Sequence, residues 1–408
     1  MNVKQNIIAL YSLRVLNQVI PLLSMPYVVR VLGADSFGSL VFVTAIMGYL
    51  LLVADYGFNL TATRDISTAV GNSLAISSIY SSVISIKILI LLLEFVLLSF
   101  ALTVFELEGA FLYICSFMYM ATQAVFPTFF FQGVGNMKWL TILSAAGKLA
   151  AVIFIFVLVD SPADVAMIPL INTIFGLFSL VAALLIVRKR YQVRFRYPAA
   201  SELVAQLKLG WDVFSLNIFG GLYAGSGVII LGLVTNNAAV ANYSLAEKLL
   251  QVIKGLYLPL VQALFPWFSR FISPRKKTIE VQLVKKLSLC LLVLLMSVVI
   301  IGVASDYIVP VLFGEDYYFV TEIFVILLFI PVIDFLRNIS GILILVNLGE
   351  EKLNRKVTQF GVLVGIPVIY VLIVFYGGEG AAIGLALTEF SIAMCLTYFA
   401  FRIIRVER

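Results

Sequence analysis

The residues of this chain with the means to do chemistry are charges set inside long apolar runs. Seven cations stand there, Arg14, Arg30, Lys87, Lys148, Lys248, Lys254 and Arg337. Against them are Glu94, Glu247, Asp334 and Glu389, with Asp55 and Asp212 nearer the ends of their runs. An ionised side chain at mid-bilayer costs between about 2.5 and 17 kcal/mol, so one that is retained faces a partner or a watery cavity. Arg14, Lys87, Lys148 and Lys254 have no acid one helical turn away, and Glu94 is about 10 Å along the axis from Lys87. These four, with Arg337, are the candidate contacts for an anionic solute such as a phosphate or diphosphate. Pairing with acids on other helices is the competing reading.

Other charges have plainer accounts. Asp334 and Arg337 share a helical face and read as a mutual pair, as do Glu247 and Lys248 with their neighbours. Arg30, a turn from the outer end of its run, either snorkels to the interface or faces inward. Coupling to H+ or Na+ needs a titratable acid deep in the membrane, and Glu94, Asp334 and Glu389 are the three available. Each serves equally well as a permanent counter-ion. Histidine is absent, which removes the commonest general base and metal ligand. Cys115, Cys290 and Cys395 have no paired spacing, so no disulfide, metal site or cofactor is expected and an enzyme is disfavoured.

The elements that carry these residues follow from composition. Hydrophobic residues make up 62% of the 408 and charged ones 12%, too apolar for a soluble globule. The apolar blocks have the length a helix needs to cross a core of about 30 Å. They fall near 7–31, 37–57, 76–104, 110–133, 139–159, 165–187, 212–234, 242–267, 287–304, 320–346, 357–376 and 381–401. The chain reads as an all-α membrane protein of about twelve transmembrane helices. The start at Met1 lacks a small-residue cleavage site, so the first span is expected to stay.

Charge tests this layout. Apart from the seven within spans, the 28 Lys and Arg fall in alternate connections, while the other connections carry Asp35, Glu106, Asp160, Asp306, Glu315 and Glu379 and no cation. The positive-inside rule then places both termini in the cytoplasm. The largest basic loop divides the chain into six-helix lobes at 1–190 and 212–408, joined by a cytoplasmic linker at 191–211. A short echo of Leu32–Leu40 at Val234–Leu245 suggests parallel repeats, with a solute held between them.

Four stretches carry a family resemblance. Pro26–Gly38, which contains Arg30 and Gly33, resembles the opening signature of the bacterial polysaccharide transporters, the O-antigen flippase family known as Wzx. Asp55–Ser67, with Arg64, is similar to that family's first cytoplasmic loop. Phe131, Gln132 and Gly133 match its aromatic-Gln-Gly turn, and Phe313–Tyr317 the turn before span 10. The resemblance implies a fold of two six-helix lobes shared with multidrug exporters and peptidoglycan-lipid flippases, in the bacterial inner membrane. It implies an undecaprenyl-diphosphate-linked oligosaccharide, flipped by alternating access through a cationic lumen, in some members with ion antiport. Arg30, Gly33, Gly38, Asp55 and Arg64 become gate or fold residues. The expected partners are this lipid-linked glycan, membrane lipids, a polysaccharide polymerase and a chain-length regulator, not nucleic acid, and the expected state is a monomer. A membrane glycan polymerase or ligase, an ion-coupled drug exporter and a purely structural protein are the rival readings.

Overall fold

In hydrocarbon every backbone N–H and C=O must be bonded within the chain, and apolar runs of this length meet that condition as helices. The structure, a computed structural model, describes the backbone of residues 3–268, 272–273, 278–279 and 281–405, and the side chains of 23–255 and 287–403. Each segment expected to cross a membrane is largely helical. Among the described residues, nine helices are long and apolar enough to do so; Leu23–Thr68 takes in the end of the first expected segment and all of the second, and Glu351–Ile403 contains the last two. The chain forms two compact units, Met1–Gly225 and Ser226–Arg408.

The first unit begins with α1 (Val3–Asp55), which breaks at Gly33, where φ is 71° and ψ 174°. That conformation suits glycine, so the family-like turn is a hinge between two helices. Next come α2 (Phe58–Thr68), α3 (Ser73–Val104), α4 (Ala110–Val125), α5 (Thr128–Gly133), α6 (Met137–Leu158), α7 (Met167–Arg190) and the start of α8 (Ala200–Val234). The span expected at 110–133 is interrupted, because Pro127 has no N–H to continue α4. The short α5 turns aside and buries Phe129, Phe130 and Phe131 completely, against Phe58 and Ile66 of α2 and Tyr80 of α3. Gly133 packs so closely that a Cβ there would lie 2.7 Å from Ile66, which accounts for the glycine after Gln132.

The segment expected as a basic linker, 191–211, passes into helix at Ala200. Residues 193–199 pass α3 without regular secondary structure, with the Arg194 and Arg196 amides donating to Ser77 and Ser81 at 3.2 and 3.0 Å. The Arg196 guanidinium pairs with Glu202, and α8 is already helical from Ala200. Early α8 packs on α1: Tyr49 donates to the Leu222 carbonyl at 2.6 Å, and Phe214 stacks on Tyr56 at 4.6 Å.

The second unit holds the end of α8, α9 (Asn237–Phe268), α10 (Val281–Phe313), α11 (Tyr318–Leu327), α12 (Ile330–Asn338), a π-helical stretch Ile339–Val346, and α13 (Glu351–Arg405). Ile272–Ser273 and Thr278–Ile279 pair as short antiparallel strands. The connection expected at 305–319 is shorter: α10 runs on to Phe313, with Val309 and Phe313 buried. α13 breaks at Gly377 (φ 57°) into two arms. The arms meet through Gly361, Gly365 and Gly384, the small-residue contact by which membrane helices approach closely.

Candidate functional site

Several of the sequence-predicted charges form ion pairs, and one lines a cavity. Lys87 is 1% exposed. Its ammonium donates to Asp55 Oδ1 at 2.9 Å and to the Ala124 carbonyl at 3.0 Å, and lies 5.5 Å from the centre of the Phe129 ring. Both acceptors sit at helix C-termini, where the dipole is negative. The Ala124 carbonyl is left over because the Thr128 amide, which would reach it in a continuous helix, bonds to Phe126 at 2.8 Å instead. Lys87 therefore ties the ends of α1 and α4 to α3. The expectation that it is a lone lumen cation is corrected, since the acid it needed is 32 positions away and invisible to helical spacing. Asp55, expected as a gate or fold residue, is its counter-ion and also accepts from Asn59 at 2.8 Å.

A second correction falls on Lys254. It pairs with Asp334 at 2.8 Å, and Arg337 spans Asp334 at 3.3 Å and Glu389 at 2.8 Å. The pairing of Asp334 with Arg337 matches the sequence reading, and the network adds α9 and α13 to it. Two cations and two acids cancel, so this region of the second unit carries no cationic excess. Asp334 and Glu389 act as counter-ions here. Glu94 behaves differently: it is 4% exposed and neither of its carboxyl oxygens has a hydrogen-bond partner.

Lys148 lies elsewhere. It lines a cavity of about 170 Å³ between α4, α6 and α7, with Tyr119, Gln123, Ser144, Asn172 and Ser179 among its walls. Thr122 and Ser179 give their protons to the Tyr119 and Leu143 carbonyls, at 2.7 and 3.1 Å, leaving oxygen lone pairs to accept. A cation among hydroxyl and amide groups can bind an anionic, polyhydroxylated group. The sequence reading singled out Lys148 and missed its companions. Their signal was spacing: Tyr119 with Gln123, Ser144 with Lys148, and Asn172 with Gly176 each lie one turn apart on adjacent helices.

The motif residues occupy structural positions. Gly33 is the α1 break, Gly38 is buried, and Arg30 is exposed. Arg64 is exposed and lies 3.4 Å from Asp65. Arg14 falls outside the residues whose side chains are described.

Comparison with known proteins agrees along the length of the chain. Residues 3–272 match the family model described as polysaccharide biosynthesis protein. A putative O-antigen transporter of Escherichia coli (strain K12) is 28% identical over 98% of this chain and 97% of its own. One from Shigella dysenteriae is 27% identical over 96% and 98%. Among solved structures, an inward-facing multidrug resistance MATE family transporter of the MOP superfamily superposes with a TM-score of 0.74 at 15% identity, covering 98% of each chain. The lipid II flippase MurJ in an inward closed conformation gives 0.70 at 12%, over 97% of this chain and 90% of its own. At such identities these two show a shared fold.

Proposed function

We propose that this chain, which belongs to the polysaccharide biosynthesis protein family, is a flippase that carries a lipid-linked oligosaccharide from the cytoplasmic to the periplasmic leaflet. It is a multi-pass protein of the bacterial inner membrane and a transporter, not an enzyme. The proposed substrate is an undecaprenyl-diphosphate-linked repeat unit of an O-antigen-like glycan, moved by alternating access through about twelve crossings with both termini in the cytoplasm. The O-antigen transporter relatives support this reading, as does the fold shared with a lipid flippase.

One observation carries it furthest: Lys148 stands in a cavity whose lining combines hydroxyl and amide side chains with Phe126, Leu140 and Ala151. A diphosphate needs cations and a sugar needs paired donors and acceptors, and this cavity supplies both kinds of group. Its size suits part of a headgroup, so other contacts hold the rest of the repeat. Glu94 is the proposed ion-coupling acid. Among the described residues its carboxylate has no hydrogen-bond partner, so a proton or sodium ion meets no competitor there. Handover to a polymerase and chain-length regulator, with the flippase itself a monomer, completes the proposal.

The test is deletion and complementation in a strain that makes a surface polysaccharide. Single repeats should accumulate on the cytoplasmic face and clear with the intact gene. Lys148→Arg should restore export more fully than Lys148→Ala at equal expression. Single repeats reaching the periplasm unpolymerised would overturn the flippase reading in favour of a polymerase.

A further inference from the structure

The second unit contains a groove that the transport reading leaves unused. It has a volume of about 470 Å³ and lies along the two arms of α13, which run antiparallel on either side of Gly377. One wall presents Val357, Phe360 and Val364, and the other Leu387, Ser391, Cys395 and Phe399. These side chains recur at one-turn spacing on each arm, so the groove follows the helix axes instead of crossing them. From Leu353 to Val368 it extends about 22 Å at 1.5 Å per residue. The floor is low where Gly361 and Gly365 let the second arm approach: a Cβ on either would stand 2.3 Å from Ile392 or Thr388.

One end is marked by charge. Lys356 lines the mouth, and Lys352, Arg355 and Arg402 are exposed close by in sequence on the same ends of the two arms. These four cations stand against two acids, Glu350 and Glu351. The opposite end, near Val368 and Leu387, is apolar. An aliphatic channel with a cationic mouth fits an anionic head and one hydrocarbon chain. The length agrees, because one leaflet supplies chains reaching about 15 Å, half of a core of about 30 Å, with the glycerol and phosphate beyond.

We propose that this groove is a binding site for an anionic membrane phospholipid, with one acyl chain between the arms and the phosphate on Lys356. The chain covers the small-residue seam, and the head adds a lipid to the basic end of the second unit. A juxtamembrane cation contributes modestly to such attraction, so removing Lys356 should weaken retention about fivefold without abolishing it.

The full-length protein, reconstituted in vesicles of phosphatidylglycerol and phosphatidylethanolamine, would be labelled with a phosphatidylglycerol bearing a photoreactive acyl chain. Adducts mapped by mass spectrometry should concentrate on residues 353–368 and 387–399. Lys356→Gln should reduce these adducts about fivefold for phosphatidylglycerol and little for a matching phosphatidylethanolamine probe. Val364→Trp should remove both by filling the groove, whereas Leu363→Trp, on an exposed neighbouring face of the same arm, should remove neither. Adducts spread evenly over apolar faces would overturn the proposal. So would equal labelling by both lipids in the unaltered protein, or adducts displaced by a second copy of the chain. Lys356 is exposed, so its replacement tests binding apart from folding.

Discussion

The two units hold buried charge differently. In the second, Lys254, Asp334, Arg337 and Glu389 form a network in which both cations have an acid within 3.3 Å. In the first, Lys87 and Asp55 close on each other, but Lys148 lines a partly polar cavity and Glu94 is buried without a hydrogen-bond partner. The open spaces also differ: that of the first unit mixes hydroxyls and amides with apolar groups, and that of the second is lined mainly by aliphatic and aromatic groups. The first space is the proposed headgroup site and the second the proposed phospholipid site.

The largest effect should come from breaking the Lys87 contact. Lys87→Met strands Asp55 and the Ala124 carbonyl, and removing one partner of a buried pair typically costs about 3–5 kcal/mol. We expect loss of folded protein, read as a collapse of the detergent-solubilised monodisperse fraction, with partial recovery in Lys87→Met/Asp55→Asn. A stable, active Lys87→Met would mean that Lys87 does not staple the helices. Next, Lys148→Ala should abolish most export while the protein stays folded, and Asn172→Leu should lower export less, both scored by surface glycan at matched expression. If both variants export normally, the first unit's cavity is not the head site and the contrast fails.

Arg337→Ala leaves two acids facing one lysine and should lower thermal stability by a few degrees. Lys254→Gln should cost less, because Arg337 still reaches Asp334. Thermal unfolding monitored in detergent ranks the two, and the reverse order would show that the network depends chiefly on Lys254. Glu94→Gln keeps the shape and removes the titratable group. It should leave stability nearly unchanged and make transport insensitive to the proton or sodium gradient, measured as flipping in vesicles with and without an imposed gradient. Transport that keeps its gradient dependence in Glu94→Gln would remove the acid from coupling. The smallest effect should follow Arg196→Ala, an exposed pair on the strap beside α3, where only faster proteolysis near residue 196 is expected.

Helix breaks divide between legible and hidden. Gly33 stands in a quoted motif, and a glycine at positive φ is a turn signal that the chain displays openly. Pro127 was equally visible, yet hydropathy carried the span straight through it, because Phe129, Phe130 and Phe131 are as apolar as any lipid-facing run. Nothing local distinguishes an aromatic cluster that leaves the membrane axis to pack against α2 from one that continues along it. Asn236 shows a third case: it caps α9 by accepting from the Ala239 amide at 2.9 Å.

By itself the sequence determined that this chain is a bundle of membrane helices and which charges stand inside them. Apolar length and charge are one-dimensional quantities, and the cost of exposing backbone in lipid leaves few alternatives. It also determined that Asp334 and Arg337 meet, because they lie on one turn. Only the tertiary structure decided that Lys87 belongs to Asp55 and Lys254 to Asp334, and that Lys148 lines a cavity with polar groups in its walls. Ion pairing across helices depends on which faces come within about 4 Å. That distance is set by packing between segments far apart in the chain, where no spacing rule reaches.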